Sequence, residues 1–269
     1  TDGAVVTTHL SVTTRSAVGA WKDIVAIATG THHVIGLCKD GTVIAAGANS
    51  LGQCDVESWR DVVAIATSNN HTVGLRADGT LLSTGSNYYG QCDVRKLLGR
   101  AAMGITSVKR ESVPIVSIAA GCAHGVVLRK NGTAGASGDN SSKQCDIDGW
   151  TGLIAISAGR YNTVGVRADG TVVMAGNGLY RYETAKKWNN IRSVAAGSSH
   201  IVGLRKDGYV VATGDDSCGQ CRFSDQDWRN ITAIAAGWYH TVGLRANGTV
   251  AAAGITASGQ CNVKNWHGI

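Results

Sequence analysis

Apolar positions along the chain fall into short runs of about five or six residues, rich in Val, Ile, Leu and Ala and broken by Gly, Asn, Asp and Ser. Runs of that length between turn residues predict β-strands rather than helices. They recur in a fixed order. One stretch reads Asp61-Val-Val-Ala-Ile-Ala66, a polar loop, His71-Thr-Val-Gly-Leu-Arg76, the pair Asp78-Gly79, Thr80-Leu-Leu-Ser-Thr-Gly85, a second loop, and Gly90-Gln-Cys-Asp-Val94. That is three strand-length segments and a shorter fourth. The Asp-Gly or Asn-Gly pair between the second and third segments is a strong hairpin signal. It returns at Asp40-Gly41, Asn131-Gly132, Asp169-Gly170, Asp207-Gly208 and Asn247-Gly248.

Tryptophan gives the period. Trp21 to Trp59, Trp150 to Trp188 and Trp228 to Trp266 each span 38 residues, and Trp188 to Trp228 spans 40. Trp59 to Trp150 spans 91, two periods plus 15, with Leu97 where the missing tryptophan would fall. Four antiparallel strands repeated at about 40 residues predict an all-β fold, a β-propeller, with one unit per blade. Full units occupy 22–58, 60–96, 113–149, 151–187, 189–227 and 229–265, and 97–111 is an insertion. Small residues in the first segment let inner strands crowd toward an axis, and alternating Val, Ile and Leu fill the space between blades.

The pattern Ala-Ala-Gly-x-x-His-x-Val-x-Leu-Arg-x-Asp-Gly-Thr-Val, followed by Gly-x-Asn-x-x-Gly-Gln, resembles the repeat of the regulator of chromosome condensation superfamily. The short period is similar to that of compact bacterial members, including the propeller-type β-lactamase inhibitory protein. The resemblance covers nearly the whole chain outside the insertion. It implies a seven-bladed ring, commonly closed by joining N-terminal outer strands to C-terminal inner strands. Residues 2–6 match 40–44, both 19 residues before a tryptophan, so residues 1–20 are expected to form a half blade in a single domain spanning 1–269. The inner pair that would follow Trp266 is absent from the sequence. Truncation, and completion of the blade by another chain through strand addition, both stay open.

Composition changes this picture little. Glycine numbers 36 and proline 1, which suits a turn-rich folded chain rather than a low-complexity one. No apolar run is long enough for a membrane-spanning helix. The net charge of +6 is spread along the chain, so nucleic acid is not an expected partner. Cell-surface, secreted and cytoplasmic placements all stay open.

Candidate chemistry is sparse. His33, His71, His124, His200 and His240 share one repeat position, with Asn162 taking it in the fourth unit. Equivalent sites on adjacent blades lie on the order of 10 Å apart, too far to share a metal ion. The expected role is a hydrogen bond tying one blade to the next, which an amide can also make. Cys54, Cys92, Cys145, Cys221 and Cys261 each follow Gln and read as small buried residues. A local Cys218–Cys221 disulfide is left open. No nucleophile pattern, phosphate loop or paired carboxylate set stands out, so neither catalysis nor a cofactor or metal is expected. Arg95, Lys96, Arg100, Lys109 and Arg110 make the insertion basic, a candidate docking loop or a solvated decoration.

Function is expected where units differ. Two loops of each unit should emerge on one face, opposite the Asp-Gly turns. The first carries Thr31-His32, Asn69-Asn70, Cys122-Ala123, Arg160-Tyr161, Ser198-Ser199 and Trp238-Tyr239. The second carries Tyr88-Tyr89 and Leu179-Tyr180 among smaller pairs. Aromatic residues in polar loops point to a binding surface. The expected site is Trp238, Tyr239, Arg160, Tyr161, Tyr88, Tyr89, Tyr180, Asn69, Asn70 and His32. The expected partner is a protein, with a glycan stacked on the aromatics, or regulation or inhibition of an enzyme, as alternatives. By resemblance to the inhibitory propeller, Arg160, Tyr161, Trp238, Tyr239, Tyr88 and Tyr89 fall at its aromatic contact positions.

Overall fold

A computed structural model of the chain describes residues 5, 12–97, 113–176, 179–224 and 227–268. It contains six antiparallel sheets, one per full unit. The first holds β1 (Ile24–Thr29), β2 (His33–Cys38) and β3 (Val43–Gly47). The second holds β4 (Val62–Thr67), β5 (His71–Arg76) and β6 (Leu81–Gly85). The third holds β7 (Ile115–Ala120), β8 (His124–Arg129) and β9 (Ala134–Gly138). The fourth holds β10 (Leu153–Ala158), β11 (Asn162–Arg167) and β12 (Val172–Gly176). The fifth holds β13 (Ile191–Ala196), β14 (His200–Arg205) and β15 (Val210–Gly214). The sixth holds β16 (Ile231–Ala236), β17 (His240–Arg245) and β18 (Val250–Gly254). Each sheet runs in chain order, and each first strand packs against the first strand of the next sheet. Among the described residues, no comparable contact joins the sixth sheet to the first.

The sheets have three strands where four were expected. The fourth segment forms turns whose backbone groups are satisfied by side chains instead of a ladder. In the first unit, Asn49 Oδ1 accepts from Cys54 N at 2.8 Å, and Gln53 Oε1 accepts from Leu51 N at 2.9 Å. The same pair recurs in units two, three and five. The glutamine is therefore a loop clamp, and Gln53, Gln91, Gln144 and Gln220 are buried for that purpose. The cysteine beside it is half-buried, not fully buried as expected, and its thiol donates to a loop carbonyl 3.2–3.5 Å away in each of five units. All eight cysteines are free thiols, Cys218 and Cys221 included.

The core lies between sheets. Trp59 rests on Gly74 of β5, and the same tryptophan–glycine contact recurs at Trp21–Gly36, Trp150–Gly165, Trp188–Gly203 and Trp228–Gly243. Unit three replaces both partners at once. Leu97 takes the tryptophan site, Val127 takes the glycine site, and both are buried in one cluster. The exchange conserves volume across the contact.

Junctions between sheets come in two kinds, and they alternate. In the first kind, the histidine opening a second strand meets a threonine of the next sheet. His33 Nε2 lies 3.2 Å from Thr72 Oγ1, His124 Nε2 3.0 Å from Thr163 Oγ1, and His200 Nε2 2.9 Å from Thr241 Oγ1. Each threonine donates back to the carbonyl of the preceding unit's glutamine, at 2.7–2.8 Å. The expected tie between blades is thus present between units one and two, three and four, and five and six. In the second kind, the threonine position holds Gly125 or Ile201, and a helical segment fills the junction. There α2 (Val94–Leu97) packs between β6 and β9, and a 3-10 helix (Leu179–Lys187) between β12 and β15. Helix α1 (Val12–Gly19) packs similarly on β3 but joins no two sheets among the described residues. The expected half blade at 1–20 is described only at residue 5 and residues 12–20, where the chain is largely helical. Residues 98–112, most of the basic insertion, and the side chains of Arg95 and Lys96 lie outside the described residues.

Candidate binding face

Glycine positions the first loop of each unit. After the first strand, Gly30, Gly121, Gly159, Gly197 and Gly237 sit so close to the neighbouring structure that a Cβ would collide with their own unit's histidine or asparagine. Four of these glycines also crowd a carbonyl of the next glycine-type turn, at Ser68, Gly159, Gly197 and Gly237. This close approach brings the loops to one axis. A second glycine closes the third strand with φ of +102 to +121° at 47, 85, 138, 176, 214 and 254. A side chain at Gly176 or Gly254 would strike the carbonyl of Tyr161 or Tyr239. The residue after that glycine then donates to the first loop, as in Ala48 N to His32 O (2.8 Å), Ser86 N to Asn70 O (2.8 Å) and Ile255 N to Tyr239 O (3.0 Å). Both variable loops therefore lie on one face and are tied together.

The first-loop pairs divide into two rings. The first member of each pair, Thr31, Asn69, Cys122, Arg160, Ser198 and Trp238, lines an axial cavity of about 590 Å³. The second member stands outside it, except Tyr239, which also lines the cavity. Side chains link the inner ring across units. Thr31 Oγ1 donates to Asn69 Oδ1 at 2.9 Å, and Asn69 Nδ2 approaches Cys122 Sγ at 2.7 Å. On the other side, the Arg160 guanidinium lies 4.8 Å from the Tyr161 ring centre and 5.6 Å from that of Trp238. Arg160 belongs to unit four and Trp238 to unit six. They meet because unit five offers only Ser198 and Ser199 between them. Trp238 and Tyr239 pack edge to face at 6.4 Å.

The expected site residues are not all brought together. Arg160, Tyr161, Trp238 and Tyr239 form one cluster at the cavity mouth. Tyr88 and Tyr89 form a second, with rings 4.9 Å apart edge to face, outside the cavity lining and more exposed, at 86% and 53%. Asn69 spends its amide on Thr31 and Cys122, while Asn70 and His32 are exposed beside the mouth. The Tyr180 side chain lies outside the described residues. Ser198, Thr31 and Cys122 complete the inner ring and were not among the expected site residues. Their signal was present, as each is the first member of a variable pair.

The lining is nearly uncharged. Burial lowers the His240 pKa and raises that of Cys122, so both are neutral near pH 7, and Arg160 carries the one charge among the described lining side chains. Among the described residues, no group of three His, Cys, Asp or Glu side chains is arranged to hold a metal ion. No described helix is long and apolar enough to cross a membrane. At the other end of the first strands, a bulge leaves Val25, Val63, Val116 and Ile154 about half exposed. Recurrence of an apolar residue there suggested core, yet the bulge turns it outward.

Comparison with known proteins bears on the fold. The profile of the regulator of chromosome condensation (RCC1) repeat matches residues 24–53, 62–91, 191–220 and 231–260. A search of curated proteins finds no match. Among solved structures, Prp20p of Saccharomyces cerevisiae, studied for its binding to Gsp1p and histones, is 18% identical with a TM-score of 0.67, covering 91% of this chain and 74% of its own. Yeast RCC1 (Prp20) with Kap60 bound is 16% identical with a TM-score of 0.67, covering 91% and 72%. Human WBSCR16 is 16% identical with a TM-score of 0.70, covering 92% and 81%. With four units matching the repeat profile and the architecture in agreement, the chain is an RCC1-like repeat β-propeller.

Proposed function

We propose that the protein is a non-catalytic binding module that docks a partner protein on the face formed by its two variable loops, centred on the mouth of the axial cavity. The observation that carries this reading is the Arg160–Tyr161–Trp238–Tyr239 cluster. Three large side chains stand there 37–41% exposed, on loops held rigid by glycine contacts and backbone hydrogen bonds. Rigid, partly exposed aromatics beside an arginine are the composition of binding hot spots. Similar propellers bind proteins: Prp20p is described with Gsp1p, histones and Kap60. Tyr88 and Tyr89 would form a second, peripheral contact.

The test is selection of peptide loops displayed on phage against the wild-type protein, alongside a glycan array. Selected loops are expected to lose about tenfold or more in affinity on Trp238→Ala or Tyr161→Ala, the size of a hot-spot truncation. Thermal stability should not change. Loops that bind both variants like wild type would refute this face. A glycan signal that depends on Trp238 would establish the carbohydrate alternative instead.

A further inference from the structure

Among the described cations, Arg160 alone lies beside aromatic rings. Its side chain forms no ion pair or hydrogen bond among the described residues. Its flat guanidinium instead lies near the rings of Tyr161 and Trp238. A guanidinium attracted to ring faces and not to an acceptor keeps its N–H groups available to donate to a ligand. Among the described residues, no Asp or Glu lines the cavity that Arg160 overlooks. Ser198, which lines the same cavity and is buried, likewise has a hydroxyl without a hydrogen bond among the described residues.

We infer that Arg160, Ser198 and Trp238 form a carboxylate-recognition subsite at the mouth of the axial cavity, which takes a Glu or Asp side chain on a loop of the partner protein. The inference rests on the binding-face reading above and deepens it. The guanidinium edge presents a two-pronged donor that matches a carboxylate. The Ser198 hydroxyl adds a third donor, and the Trp238 ring packs the aliphatic stem or a neighbouring residue. A cavity of about 590 Å³ holds a loop tip rather than a domain. One arginine, with no other Lys or Arg among the described lining residues, suits a single carboxylate better than the larger charge of a phosphate ester.

Three capped pentapeptides test this by isothermal titration calorimetry. The first carries a central Glu before a Tyr, the second has Gln in place of Glu, and the third has Gln and a free C-terminal carboxylate. The Glu peptide is expected to bind about tenfold more tightly than the Gln peptide, the worth of a charge-assisted bidentate contact. Arg160→Gln should erase that preference and Arg160→Lys should keep part of it. Trp238→Ala should weaken the Glu and Gln peptides alike, and all variants should melt as wild type does. Equal binding of the Glu and Gln peptides, no binding of the Glu peptide at millimolar concentration, or a preference that persists in Arg160→Gln would each overturn the subsite. Tightest binding by the free-carboxylate peptide would also overturn it, in favour of a chain terminus. If phage-selected loops still require Trp238 and Tyr161 while no carboxylate preference exists, this inference fails and the binding face stands.

Discussion

At the scale of single residues, the repeat exposes its own defects. Both ring nitrogens of His71 are buried without a hydrogen-bond partner, because the next sheet presents Gly125 where Thr72, Thr163 and Thr241 stand elsewhere. A Cβ at Gly125 would meet Gln91 O at 3.6 Å and Leu97 at 3.6 Å, which is ordinary contact. Gly125→Thr should therefore rebuild the histidine–threonine–glutamine tie and remove a flexible residue from a strand. The expected gain is about 1–2 kcal/mol, measured by urea unfolding. The Leu97–Val127 exchange makes a sharper test. Leu97→Trp alone forces a large ring against Val127 and should destabilise by about 1–3 kcal/mol. Adding Val127→Gly recreates the contact found in the other five units, so the double variant should recover most of that loss. Additive losses in a double-mutant cycle would show that the two sites do not compensate.

At the scale of elements, strands were legible and the fourth segment was not. Hydrophobic period, hairpin pairs and tryptophan spacing identified the eighteen strands found among the described residues, because strands in a propeller are set by local alternation and turn chemistry. The segment Gly90-Gln-Cys-Asp-Val94 looked strand-like from its place in the unit. Its backbone is satisfied by Asn87 and Gln91 side chains, a competition that spacing does not reveal. The candidate face was legible as a set of variable pairs, but not its division into rings. That division depends on Ser198 and Ser199 being small enough for Arg160 to reach Trp238. Ser199→Tyr should fill that space and weaken loop binding at the face, measured against the phage-selected loops. The buried histidines also set a pH response. Burial holds His33, His71, His124 and His200 at a pKa of about 4, against an ordinary 6.5. Their folded pKa values are depressed, so the unfolded chain takes up protons first. Full stability is present above about pH 6.5 and is lost as pH falls toward 4. The urea midpoint should drop across that window, and less so in His71→Asn, the residue type that position 162 already carries.

At the scale of the whole molecule, the sequence reads as six equal units, whereas the structure groups them two by two. The histidine–threonine ties join units one to two, three to four, and five to six, and helical segments occupy the junctions between. A ring of identical contacts would loosen everywhere alike. Buried apolar clusters cross all five junctions, so the untied ones are seams only in lacking the histidine–threonine hydrogen bonds. Amide hydrogens of β5, β11 and β14 belong to the same kind of central strand, so their exchange isolates the junction as the variable. Native-state hydrogen exchange should show units three and four opening as one cooperative block, with lower opening free energy at the seams beside β7 and β13. Gly125→Thr, which places a tie across the seam between units two and three, should merge two blocks into one. A chain that looks like a sixfold repetition would then fold, fray and bend as three hinged pairs.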